Sequence, residues 1–158
     1  MVFFNNHGEL SNCPRIRRYL AKSGKIDAIV SLPDYAFRKS GAQNKTSVLF
    51  FSKYSRQEKA RFDRVYNSEI HRNVNENIAI ARALESVRYD VFLAEANFVG
   101  YTTTGVLSDK NDIYREVEDG RLAEDQDLTI YGEYQKFVSD RGGYESSDNP
   151  DCMSIDIV

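Results

Sequence analysis

Two apolar runs separated by a short polar stretch limit what this chain can fold into. Ile26-Asp27-Ala28-Ile29-Val30-Ser31-Leu32 reads as a mostly buried strand that Pro33 stops, and Thr46 to Ser52, with Val48, Leu49, Phe50 and Phe51 at its centre, reads as a second. The 13 residues between Leu32 and Thr46 suffice for a hairpin-type loop without a crossover helix. The spacing therefore predicts neighbouring strands running antiparallel.

The rest of the chain is read against that pair. Val2-Phe3-Phe4 looks like the end of a strand, and a chain that opens this way is expected to be truncated upstream. Pro14 suits a first helical turn, Ile16, Tyr19 and Leu20 make one apolar stripe, and Gly24 ends the helix. Residues 55–72 are charged and mixed, with a strand-like Phe62-Asp63-Arg64-Val65-Tyr66 inside them. Asn75 to Val87 has the helical period through Ile78, Ala81 and Leu84. Two short strands are expected at 90–94 and 97–101, followed by a turn at Thr102-Thr103-Thr104-Gly105. Residues 108–127 read as a solvated connector, Ile130, Tyr134 and Phe137 mark a last helix, and 141–150 form a linker. Cys152 to Val158 reads as a strand cut short.

Apolar residues at 41% and charged residues at 28% of 158 describe one globular domain, too short to be two. No apolar run approaches the ~20 residues that span a bilayer. The start has neither the basic nor the apolar region of a signal peptide. Cys13 and Cys152 lie far apart in unlike contexts, which fits reduced thiols in a cytoplasm better than a disulfide framework. The net charge of −3 hides an asymmetry: residues 1–72 hold 14 Lys+Arg against 6 Asp+Glu, and residues 73–158 hold 7 against 18. The basic half is the one suited to a polyanion.

Three segments in order carry a family resemblance. They are Arg15 to Leu20 followed by Ile26 to Pro33; Phe37 through Lys45-Thr46-Ser47-Val48-Leu49-Phe50-Phe51-Ser52-Lys53; and Phe98-Val99-Gly100-Tyr101-Thr102-Thr103-Thr104-Gly105 with Asn111-Asp112-Ile113. The series resembles the last part of the N-6 adenine DNA methyltransferases, specifically the modification subunits of type I restriction systems. The resemblance covers roughly residues 1–113.

It implies an α/β fold: the C-terminal portion of a Rossmann-like, S-adenosylmethionine-dependent methyltransferase sheet whose late strands include an antiparallel pair, followed by a small mixed α+β extension. Residues 1–56 would supply the terminal strands and helix of that sheet, 57–113 a family-specific extension, and 114–158 an acidic connector, helix and linker. The complete enzyme would use S-adenosylmethionine. This chain has no Gly-x-Gly, and Asn149-Pro150 is followed by Asp151 where the family's amine-binding motif continues Pro-aromatic. No catalytic or cofactor residue is therefore expected in the chain, and alone it should be inactive.

The resemblance does place one side of the target-base pocket here. Such enzymes rotate the base out of the duplex and hold it against apolar or aromatic faces, and the family's stacking aromatic falls on Phe37. A core role for Phe37 is an open alternative. Its place outside both strands, beside Arg38 and Lys39, favours stacking. Arg38, Lys39 and Lys45 are the expected DNA contacts in the same loop. Arg15, Arg17 and Arg18 read first as a solvated helix face. His7 and His71 have no metal-ligand spacing, Ser31 and Ser47 have no identifiable base, and Tyr101 reads as hairpin packing. The implied partners are DNA and a specificity subunit, with the restriction subunit as a further candidate and no membrane. The alternative is a non-catalytic DNA- or protein-binding module derived from the same fold.

Overall fold

The computed structural model describes residues 2–5, 14–41, 44–141, 144 and 149–157. In chain order the elements are β1 (Val2–Asn5), α1 (Pro14–Ser23), β2 (Gly24–Ser31), β3 (Thr46–Lys53), α2 (Arg56–His71) and α3 (Glu76–Glu85). They continue with β4 (Tyr89–Glu95), β5 (Val99–Tyr101), β6 (Leu107–Asn111), α4 (Ile130–Ser139) and β7 (Cys152–Ile157). Five strands make one mixed sheet in the order β1-β3-β2-β4-β7, and β5 with β6 makes a separate hairpin. The fold is α/β, and the sheet draws strands from each third of the chain.

The two apolar runs are neighbours and antiparallel, as their spacing predicts: Ile29 faces Leu49 and Val30 faces Val48. β1 adds antiparallel to the far side of β3, and β4 adds parallel to β2. Strand alternation then sorts the side chains onto two faces. On one, Ala28, Val30, Phe92, Ala94 and Cys152 pack with Ile130 and Phe137 of α4. Phe92 and Phe137 are fully buried, each contributing about 1.5–3 kcal/mol relative to an exposed ring. The opposite face carries Ile29, Leu49, Leu93 and Met153 in one cross-strand row. α1 and α3 flank that face and leave an apolar groove of about 410 Å³ whose walls include Leu20, Ile26, Ile29, Leu49 and Leu84.

Residues 56–71 are a helix, which corrects the strand-like reading of 62–66. Ser55 and Glu58 form a reciprocal capping box at its start. Phe62, Val65, Tyr66 and Glu69 then turn inward at helical spacing. Glu69 disguised the stripe: it is a buried carboxylate held by Arg72 and Arg82, sitting where an apolar residue completes the period. Phe62 packs with Ile80, Ala83 and Val87 in a second core that joins α2 to α3.

Gly24 also differs from expectation. It starts β2 opposite Lys53, and a Cβ there would lie 2.0 Å from the Ser52 carbonyl oxygen. Close strand approach, rather than helix termination, requires glycine. Between β6 and α4 there is no helix. The buried Gln126 orders that segment, accepting from the Arg115 amide at 2.9 Å and donating to the Arg115 and Ala123 carbonyls. Most of the expected 141–150 linker lies outside the described residues.

Candidate nucleic-acid interface

The chain between β2 and β3 is a compact turn. The Leu32 amide donates to Thr46 O at 2.8 Å and closes its neck. Pro33 O accepts from Ala36 N at 3.0 Å, and Tyr35 O accepts from Arg38 N at 3.0 Å. A single 3₁₀ turn, Arg38–Ser40, follows, ending on Gly41 with φ of 81°. Such a conformation is open to glycine at no steric cost.

Phe37 stands at the join of turn and 3₁₀ segment. Its ring is half-buried and packs against the core that contains Ala28, Val30 and Ala36. It is thus neither the freely exposed loop-tip ring that stacking alone predicts nor a closed core residue. Arg38 and Lys39 are exposed beside it. Lys45 has turned away and pairs with Glu95 at 2.7 Å.

The sequence reading missed what holds this loop: the β5–β6 hairpin. Tyr101 donates its phenolic proton to Ala36 O, and its ring meets Tyr35 edge-on at 6.1 Å. Lys39 Nζ lies 5.2 Å from the Tyr101 ring centroid, and the Arg38 guanidinium donates to Thr103 O at 2.5 Å. Tyr35 donates to Asn97 O at 2.7 Å. Burial raises the Tyr35 pKa, helped by the charge of Asp112 and by Tyr101 and Asp34, so the phenol stays a donor. A cleft of about 120 Å³ opens between the two segments, walled by Asp34, Tyr35, Arg38 and Thr103. Gly100 and Gly105, both with φ of 81°, bracket the Tyr-Thr-Thr-Thr run and were the available sequence signal for a tight hairpin.

The remaining candidates are not brought to this place. Arg18 pairs with Glu76 of α3 at 2.5 Å, joined there by Lys22 at 3.0 Å. Arg15 is exposed on α1, and Arg17 borders the apolar groove. The His71 ring lies 2.6 Å from Asn67 O on its own helix, and among the described residues no group of three potential ligands could hold a metal. His7 lies outside the described residues. Ser31 and Ser47 face each other across β2 and β3.

The described residues do not fit S-adenosylmethionine. The apolar groove offers no carboxylate for ribose hydroxyls. A smaller cleft of about 200 Å³ does have carboxylates, from Glu95, Asp112 and Asp151. The glycines with positive φ, at 41, 100, 105 and 120, all sit in loops or the hairpin, and none leads a sheet strand into a helix as a phosphate- or cofactor-cradling turn does. Among the described residues no helix is long and apolar enough to cross a membrane. No protein-family model matches the chain, and no curated protein matches it significantly.

Proposed function

We propose that this chain is the C-terminal portion of an adenine-N6 DNA methyltransferase of the type I modification-subunit kind, supplying the wall against which the extruded base rests. The observation that carries this reading is the 34–41 loop between two antiparallel strands, with Phe37 half-buried at its turn and Arg38 and Lys39 exposed beside it. An aromatic face held on a stiff base and flanked by cations suits a base and its phosphates. Base–aromatic stacking contributes about 1–3 kcal/mol by alanine substitution, enough to bias an extruded nucleotide. The reversed β2–β3 pair is also what the end of a methyltransferase sheet requires.

In this reading the cofactor and the amine-binding turn belong to the rest of the enzyme, and the acidic half of the chain is available to a specificity subunit. DNA contact is carried by Arg38 and Lys39, since the Lys45 charge is already balanced by Glu95. Fluorescence anisotropy with a labelled duplex tests it. The chain should bind at low salt, the logarithm of affinity falling linearly with the logarithm of salt, and Lys39→Gln should reduce that slope by about one. Failure to bind duplex DNA even at low salt would reject the reading. Titration with S-adenosylmethionine should be silent, and micromolar binding would displace the chain from this part of the fold.

A further inference from the structure

We propose that the β5–β6 hairpin is a base-stack wedge, with Leu107 entering the DNA beside the nucleotide that Phe37 faces and occupying space the extruded base leaves. The proposal rests on the methyltransferase reading of the 34–41 loop. Leu107 is 82% exposed and Val106 62%, the two most exposed large aliphatic side chains among the described residues. Both belong to one short hairpin, where exposure does nothing for stability.

The position of Leu107 gives that exposure a direction. Leu107 is the cross-strand partner of Tyr101, so the two side chains share a face of the hairpin. Tyr101 in turn is bonded to Ala36 O, the residue before Phe37. The aliphatic tip and the proposed stacking ring are therefore held on adjoining segments by a single phenol.

The hairpin is also stiff enough for the task. Thr102 N donates to Val106 O at 2.8 Å, Gly105 N to Thr102 O at 2.9 Å, and Thr102 Oγ1 accepts from Val106 N at 3.2 Å. At its base Asp112 accepts the amides of Asn97 and Phe98, both at 2.8 Å. Unstacking a base step costs a few kcal/mol, and a tip that yields instead would not perform it.

The rim around the tip selects the partner. Among the described residues Arg38, Lys39 and Lys110 have no carboxylate partner. Asp34 and Asp109 are the counter-charges in the same two segments, which leaves a cationic excess. Lys110 sits 5.0 Å from the Phe98 ring, and Thr103 and Thr104 are exposed. Cations and hydroxyls for phosphates around an aliphatic point suit a nucleic-acid duplex better than an apolar protein groove.

The test uses the full 158-residue chain with two short duplexes, one intact and one carrying an abasic site next to 2-aminopurine. A wedge prefers the duplex in which its place is already empty, so wild type should bind the abasic duplex about tenfold more tightly than the intact one. In Leu107→Ala that ratio should fall to about one and the 2-aminopurine signal should fade, while Leu107→Met should retain both. Circular dichroism and Tm check that the exposed substitution leaves the fold alone. Wild type binding both duplexes equally, or Leu107→Ala keeping the preference, overturns the wedge and leaves the DNA reading of the 34–41 loop standing. No binding to either duplex at low salt removes both. Self-association abolished by Leu107→Ala, with the duplex ratio unmoved, assigns the tip to a second copy of the chain and likewise overturns the wedge.

Discussion

Tyr101 donates its phenolic proton to the carbonyl oxygen of Ala36, 65 residues earlier in the chain. One hydrogen bond thereby fastens a two-stranded hairpin to the loop that carries Phe37. Tyr101→Phe keeps the ring contact with Tyr35 and the Lys39 cation over it and removes only the donor. The loss should be about 1 kcal/mol, the net contribution of such a bond, read by urea denaturation. Hydrogen exchange should rise in residues 34–41 and 97–111 and stay unchanged in α2 and α3. Uniform deprotection across the chain would show that this bond does not act locally.

Phe37→Ala should cost about 1–3 kcal/mol, between the exposed and fully buried limits, because its ring is half-buried against the sheet core. Phe37→Tyr and Phe37→Trp should keep a π-face for the base. In the complete methyltransferase a fluorescent adenine analogue at the target position should report weaker extrusion with Phe37→Ala and near-normal extrusion with Phe37→Trp. Equal signals from all three would make Phe37 a packing residue only.

The strand pair was legible because two apolar runs, a stopping Pro33 and a short gap leave little choice of pairing. α1 and α4 were legible from their apolar stripes. α2 was not, because Glu69 occupies an inward position and its neutralising partners, Arg72 and Arg82, are brought to it by the fold. The same limit applies to the site. Phe37, Arg38 and Lys39 are consecutive and could be found together, but nothing local to Tyr101 says that its partner is Ala36. Lys45 illustrates the converse: its sequence context resembles that of Lys39, and only tertiary structure pairs it with Glu95.

Gly24→Ala should be strongly destabilising although it adds a single methyl. The new Cβ would lie 2.0 Å from Ser52 O and 2.9 Å from the Lys53 Cα, and both are backbone atoms of the partner strand that cannot rotate aside. Overpacking of this kind costs about 1–3 kcal/mol or more, and here it strains the β2–β3 pair that supports the 34–41 loop. A Tm drop of several degrees is expected. A neutral Gly24→Ala would mean that the two strands do not approach this closely at their ends.

Two carboxylates should make the fold acid-sensitive. Glu58 is held down to about 2 by its hydrogen bond from Lys25, helped by Ser55 at the helix cap. Glu76 is held down to about 2 by hydrogen bonds from Lys22 and Arg18. Each folded-state value lies below the ordinary carboxylate pKa of about 4.3, so the unfolded chain binds a proton first as pH falls. The stability they contribute is fully present above about pH 4.5 and is lost progressively toward pH 2. Glu58 joins the start of α2 to β2, while Glu76 joins α3 to α1. Tm followed from pH 7 to 3 should therefore be nearly level and then fall. Glu58→Gln should lower Tm at pH 7 and flatten the acid limb, since its neutral side chain has no proton to take up. Glu76→Gln should act in the same direction but less, because that pair is more open to solvent than the Lys25–Glu58 pair. Hydrogen exchange gives the location: at pH 3 the α1–α3 contact should open with Glu76 and the α2 N-terminus with Glu58. An acid limb of unchanged steepness in the double variant would mean that other carboxylates carry the acid response.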